Sequence, residues 1–84
     1  MEKRVSVIIP AFNEEKNIAN VINKAKKCRY VQEIIVVNNK STDNTEKIAK
    51  NEGARVVECN NQGKGYAMEE GVRSAKNEIV VFLD

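Results

Sequence analysis

Short apolar runs alternate with amphipathic stretches along this chain, and the change of period marks where each element begins and ends. Val5-Ser-Val-Ile-Ile is a first strand, and Pro10 ends it by withholding an N–H from a continuing ladder. Asn13 then caps a helix, with Glu14 and Glu15 in its first turn, where the helix dipole favours negative charge. Ile18, Val21, Ile22, Ala25 and Cys28 follow at three- and four-residue spacing, one apolar stripe on that helix. The second strand, Glu33–Val37, closes on four apolar, mostly β-branched residues, a run suited to burial on both faces in a parallel sheet. At Asn38 the chain turns polar, and Asp43-x-x-Glu46 reads as a capping box opening a helix to about Asn51, with Gly53 past its end. Arg55-Val-Val-Glu-Cys is a short third strand, and Asn60-Asn-Gln-Gly-Lys-Gly a loop. A third helix carries Met68, Gly71, Val72 and Ala75 on one stripe. A glycine inside a helix costs up to about 1 kcal/mol against alanine, so Gly71 predicts close packing on the sheet. Glu78-Ile-Val-Val-Phe-Leu-Asp is the fourth strand.

The order β-α-β-α-β-α-β, with short connections, predicts an α/β fold: a Rossmann-like parallel sheet with helices on both faces. Right-handed crossovers place every strand end on one rim. Pro10–Glu14, Asn38–Asp43, Asn60–Gly65 and Asp84 then lie along it, and open α/β sheets take ligands at that edge. The turn after the second strand also abuts a helix N-terminus, whose backbone N–H groups favour anions. Taken singly these loops are ordinary turns, since Asn, Ser, Thr and Asp are common turn formers. Their convergence argues for a site.

Composition narrows the classes. The chain has 84 residues, at most one small domain, and a chain of this size buries roughly 60–65% of its unfolded surface. A net charge of +2 gives no argument for a nucleic-acid or anionic-membrane partner. The apolar runs are too short for a transmembrane span or a signal-peptide core, and a strand starting at Val5 leaves no room for a targeting segment. The expectation is a cytoplasmic protein without a membrane segment in this stretch. Cys28 and Cys59 form no C-x-x-C and read as reduced thiols. With no histidine, Ser-His-Asp and Cys-His chemistry and His-based zinc ligation are absent from this stretch.

Two features on the rim carry chemistry of their own. Gly63-Lys-Gly65 is no Walker loop, lacking a Ser or Thr after Lys64 and the upstream glycine. It is no dinucleotide fingerprint either, since that follows the first strand. Lys64 remains either a phosphate contact at a helix N-terminus or a plain loop lysine. Asp84 ends the most apolar strand, where a carboxylate needs a cation or hydrogen-bond donors. It reads as a metal ligand or as a strand-terminal cap.

The motifs in order, Val5-Ser-Val-Ile-Ile-Pro-Ala-Phe-Asn-Glu-Glu, Glu-Ile-Ile-Val-Val-Asn-Asn-Lys-Ser-Thr-Asp-Asn-Thr, Asn-Gln-Gly-Lys-Gly-Tyr-Ala-Met and Ile-Val-Val-Phe-Leu-Asp, resemble family 2 glycosyltransferases across essentially the whole chain. The resemblance implies the N-terminal, nucleotide-binding half of a GT-A fold, with sheet order 3-2-1-4, truncated after the fourth strand. By position it implies that Pro10, Ala11, Asn13 and Glu14 line the nucleoside pocket, Glu14 near the ribose hydroxyls. Asn39 stands where the family places a base-reading aspartate, Asn38 replaces the aspartate before it, and Lys64 lies near the nucleotide. Asp84 matches the first aspartate of the D-x-D motif, whose carboxylates hold Mg²⁺ or Mn²⁺ on the donor diphosphate as a Lewis acid. The family's usual Asp-Asp-Gly-Ser is here Asn38-Asn39-Lys40-Ser41, a departure at the base reader and at the turn.

The implied function is the donor-binding part of an inverting glycosyltransferase that uses a nucleotide-diphosphate sugar. The catalytic base, the second metal aspartate and the acceptor half lie outside these residues, so the 84-residue stretch alone is expected to be inactive. Two alternatives stand beside it: a non-catalytic nucleotide-binding or assembly module of the same fold, and a sugar nucleotidyltransferase. The latter should carry a Gly-rich phosphate loop where this chain has Pro-Ala-Phe-Asn-Glu. An amide at Asn39 offers a donor and an acceptor, matching uracil's N3–H and O4, so a UDP-sugar is favoured over a guanosine one. The acceptor is not legible. The exposed edge of the last strand points to homodimerisation.

Overall fold

The β-branched runs form the strands and the amphipathic stretches cover them. The computed structural model describes residues 4–61 and 63–83, excepting the side chain of Lys64. Its elements are β1 (Val5–Ala11), α1 (Ile18–Lys26), β2 (Val31–Asn38), α2 (Thr45–Asn51), β3 (Arg55–Glu58), α3 (Lys64–Ser74) and β4 (Ile79–Phe82). The strands make one parallel sheet in the order β3-β2-β1-β4. The expected topology is therefore observed.

Alternate residues of the central strands feed two cores. Val7, Ile9, Ala11, Ile34 and Val36 pack under α1 and α2 with Ile18, Ile22, Ala25 and Ala49. Ile8, Ile35, Val37 and Cys59 pack with Ala67 of α3 on the opposite face. Helices on both faces follow from this alternation, since successive strand side chains point to opposite sides. Cys28 is exposed and Cys59 buried, and both are free thiols.

Several expected boundaries shift. Pro10 does not end β1, which runs on to Ala11 with Pro10 opposite Val37. The Ile8 carbonyl accepts from Leu83 N–H, on the β4 side, and the Ala11 carbonyl from Asn39 N–H, on the β2 side. Pro10 thus faces the β4 side, where the rung after the Leu83 N–H bond to Ile8 would need an N–H from residue 10, so its missing donor closes the β1–β4 ladder while the β1–β2 ladder runs on. Asn13 caps no helix: α1 starts at Ile18, with no acidic residue in its first turn. The stripe of α3 also turns. Ala67 and Gly71 face the sheet, whereas Val72 is half exposed. Gly71 packs as its position in the helix predicts: a Cβ there would lie 2.3 Å from Cγ2 of Ile8.

At the amino-terminal edge of the sheet, opposite the rim of interest, Glu33 gathers distant segments. Its Oε2 accepts from the Ser6 hydroxyl and from Lys76 N–H, each at 2.6 Å, and its Oε1 from Arg55 at 3.2 Å. Asn77 donates to Ser6 Oγ at 3.0 Å, and Arg55 to the Ser74 carbonyl at 2.6 Å. Burial pushes the Glu33 carboxyl up, but Ser6, Lys76 and Arg55 together hold it below its ordinary value. This clasp ties the α3–β4 connection to the start of β1 and β2.

Candidate functional site

The carboxyl ends of β1 and β2 lie side by side, and the loops that leave them are stitched together. Three successive N–H groups of the first loop donate to side chains of the second. Asn13 donates to Ser41 Oγ at 2.9 Å, Glu14 to Thr45 Oγ1 at 2.8 Å and Glu15 to Asp43 Oδ2 at 3.2 Å. In return, Asn13 Oδ1 accepts from Thr42 N–H at 2.8 Å and Glu15 Oε1 from Asn44 N–H at 3.0 Å. The residue types that sequence reasoning assigned to helix caps instead bind across the loops. Asn13 holds a left-handed backbone, φ +51°, which an asparagine tolerates better than most residues.

Thr45 is the hub of this arrangement. It is fully buried at the first position of α2, and its hydroxyl accepts from Glu14 while donating to Asp43 Oδ1. Asp43 Oδ1 also accepts the Thr45 N–H at 2.9 Å. Partial burial raises the Asp43 carboxyl, yet the Thr45 hydroxyl, the Thr45 N–H and the Glu15 N–H together hold it below its ordinary value. The anticipated capping box is not formed: Asn44 occupies the cap position without a side-chain cap bond, and Glu46 pairs with Lys50 at 2.8 Å instead of reaching back.

Four amide donors of the turn leading into α2 are therefore occupied. Ser41 N–H donates to Asn38 Oδ1, Thr42 N–H to Asn13, Asn44 N–H to Glu15 and Thr45 N–H to Asp43. An anion would have to displace a side chain at each of them. The cross-loop bonding thus narrows the expected anion-favouring turn to the remaining N–H groups of the first turn of α2.

The asparagines at the end of β2 part company. Asn38 is 3% exposed, and its Nδ2 donates to both carboxylate oxygens of Glu58 on β3, at 3.1 Å each. With Oδ1 held by Ser41 N–H, its polar atoms are engaged within the protein. Asn39 lies toward β3 and its following loop. Its hydrogen-bonding surroundings orient the amide so that Nδ2 donates to the carbonyls of Cys59 and Asn61, 3.2 Å each. The donor half of the Asn39 amide, which the uracil argument invoked, is thus already engaged. Lys40, where the resemblance has glycine, is left-handed at φ +59°.

The other candidates divide by place. Pro10 and Glu14 line a cleft of about 250 Å³ between β1 and α1, with Ile9, Asn17, Ile18 and Val21. Glu14 is exposed, and its carboxylate makes no hydrogen bond among the described residues. Ala11 is buried under α1 and α2, contributing backbone and packing. Lys64 begins α3, its side chain outside the described residues, and Asp84 lies outside them altogether. Among the described residues no group of three or more acidic or cysteine side chains could hold a metal ion. No helix among them is long and apolar enough to cross a membrane. Sequence reasoning passed over Ser41, Asp43 and Thr45 as site-building residues; Ser-Thr-Asp-x-Thr was visible, but its partners are about thirty positions away. Phe12, 59% exposed between Ala11 and Asn13, was also not singled out.

Comparison with known proteins matches this geometry to a family. The model for glycosyl transferase family 2 matches residues 6–84. The 4,4'-diaponeurosporenoate glycosyltransferase of Staphylococcus aureus strain USA300 is 34% identical over 88 residues, 98% of this chain and 24% of that protein. Glucosyl-3-phosphoglycerate synthase from Mycobacterium tuberculosis, solved with Mn²⁺, UDP and glucosyl-3-phosphoglycerate, superposes with a TM-score of 0.87 at 37% identity. That match covers 98% of this chain and 33% of the solved one. The same enzyme has been solved with Mn²⁺, UDP-glucose and phosphoglyceric acid, again at a TM-score of 0.87. This chain spans about a quarter of the curated relative and a third of the solved one. The likeness bears out the GT-A half-fold, and the chain belongs to glycosyl transferase family 2.

Proposed function

We propose that this chain is the donor-binding half-domain of a longer, inverting glycosyltransferase, which moves a sugar from a nucleotide-diphosphate sugar to an acceptor hydroxyl. The observation that carries the reading is the stitched pair of loops, which presents on one rim the Glu14 carboxylate, without a hydrogen bond among the described residues, and Asn39, whose Oδ1 is an acceptor. Acceptors suit the hydroxyls of a ribose and an N–H on a base edge. Pro10 and Ala11 supply the strand end beneath them, Asn13 shapes the loop, Asn38 braces the turn, and Lys64 sits at the head of α3 toward the phosphates. The catalytic base and the acceptor half belong to chain beyond residue 84, and the 84 residues alone are inactive. Mg²⁺ or Mn²⁺ serves the complete enzyme, with Asp84 as one ligand; the described residues supply no ligand set for it. The mycobacterial relative has been solved with UDP and either ion.

Uridine remains favoured over cytidine, on a different argument from the amide pair, whereas guanine, whose N1–H also donates, is no longer disfavoured once Nδ2 is engaged. With Nδ2 engaged, Asn39 reads through Oδ1 alone, which accepts from uracil N3–H and repels the bare ring nitrogen of cytosine. A misplaced acceptor leaves a polar group unpaired, so UDP should bind roughly tenfold or more tightly than CDP. Calorimetric titration of the full-length protein with UDP and CDP tests this. Equal affinities for UDP and CDP, or a preference for CDP, would refute the role given to Asn39. In the 84-residue chain by itself, the free edge of β4 takes a second copy and gives a homodimer.

A further inference from the structure

We infer that Thr45 and Asp43 are positioning residues for nucleoside binding, acting through the backbone of Asn13–Glu15 without touching the ligand. The inference rests on the donor-site reading above and adds residues to it. Glu14 can present its carboxylate from only one place if its own N–H is fixed, and that N–H is fixed by Thr45 Oγ1 at 2.8 Å. The neighbouring Glu15 N–H is fixed by Asp43 Oδ2 at 3.2 Å, and the Thr45 hydroxyl in turn donates to Asp43 Oδ1. A single carboxylate–hydroxyl pair therefore sets two consecutive peptide units of the opposite loop. The segment's own bonds lie on its far side, where the Glu14 carbonyl accepts from the N–H groups of Asn17 and Ile18, while the N–H groups of Asn13, Glu14 and Glu15 are held from the opposite loop. Asn13, at φ +51°, stays in its uncommon conformation through Ser41 and Thr42 on the same opposing loop. The two loops thus hold one geometry before any ligand arrives, which removes an ordering cost from binding.

Thr45 is fully buried, so its direct contact with a nucleotide is excluded, and its effect must pass through Glu14. Replacing its hydroxyl by a methyl, Thr45→Val, preserves volume while orphaning the Glu14 N–H. The full-length protein should then bind both UMP and UDP roughly tenfold more weakly, by the same factor, because the loss is on the nucleoside side. Thr45→Ser restores the hydroxyl and should recover most of the affinity. Ser41→Ala, at a half-buried position, removes only the Asn13 tether and should weaken both ligands about threefold. Calorimetry well below the melting temperature of each variant separates positioning from stability. Variants that melt earlier yet keep the parental Kd would overturn the proposal, as would loss for UDP alone. Failure of the unaltered protein to bind any uridine nucleotide would instead overturn the donor-site reading, and the positioning role with it.

Discussion

Asn38 and Glu58 form a matched pair whose chemistry depends on which of them is the amide. Both amide hydrogens reach the carboxylate, at 3.1 Å to each oxygen. Asn38→Asp would set two carboxylates against each other and leave Ser41 N–H as the one remaining donor. We expect a loss of about 1–2 kcal/mol at pH 7, measured by urea denaturation. The loss should shrink as pH falls and the pair shares a proton, and Glu58→Gln should rescue it. Undiminished stability in Asn38→Asp would show that the pair carries no weight. Gly71→Ala is a second test, because its Cβ would sit 2.3 Å from Cγ2 of the fully buried Ile8. Overpacking of this kind costs about 1–3 kcal/mol, which outweighs the better helix propensity of alanine. A melting temperature at or above that of the parent would contradict it. The sequence showed Gly71 for what it is, since a helical glycine needs a reason. It could not separate Asn38 from Asn39, because their difference lies in which face of the sheet each one leaves from and in a Glu58 partner twenty positions on.

The elements themselves were legible in kind and less so at their ends. Strands and helices follow from the apolar period, but Asn13 and Asp43 were placed as caps because short polar side chains that cap helices also bond across loops. What decides between the uses is the neighbouring loop, which periodicity does not report. The Glu33 clasp was likewise invisible, since its partners lie on β1, β3 and the α3–β4 connection. Its carboxyl is held below its ordinary value of 4.5, so it binds its proton less readily folded than unfolded. The stability it adds is therefore complete above about pH 4.5 and drains away as pH falls through the lower, folded value. Glu33→Gln should cost roughly 2 kcal/mol at pH 7 and flatten the stability profile below pH 4.5. Amide exchange across Ile79–Phe82 should quicken in the same variant, because β4 loses its tether. An acid profile that Glu33→Gln leaves as steep as before would rule the clasp out as its source.

At the scale of the whole molecule, the sheet order could be anticipated because only a few right-handed arrangements satisfy four buried strands and three crossovers. The outermost strand, β4, has Ile79, Val81 and Phe82 exposed at 49%, 42% and 39%. Light scattering on the 84-residue chain at tens of micromolar should accordingly find a dimer, and a lone 9.4 kDa species would refute the edge-pairing idea. The clasp also has a consequence in time. Glu33 meets Lys76 across 43 positions and Ser6 meets Asn77 across 71, so neither contact can close until every crossover has been laid down. We expect such contacts to form after the folding barrier and to act as its latch. In stopped-flow measurements Glu33→Gln should lift the unfolding arm of the chevron and leave the refolding arm where it was. A protein built this way keeps its folding speed when the latch is weakened and loses only the length of time for which it stays shut.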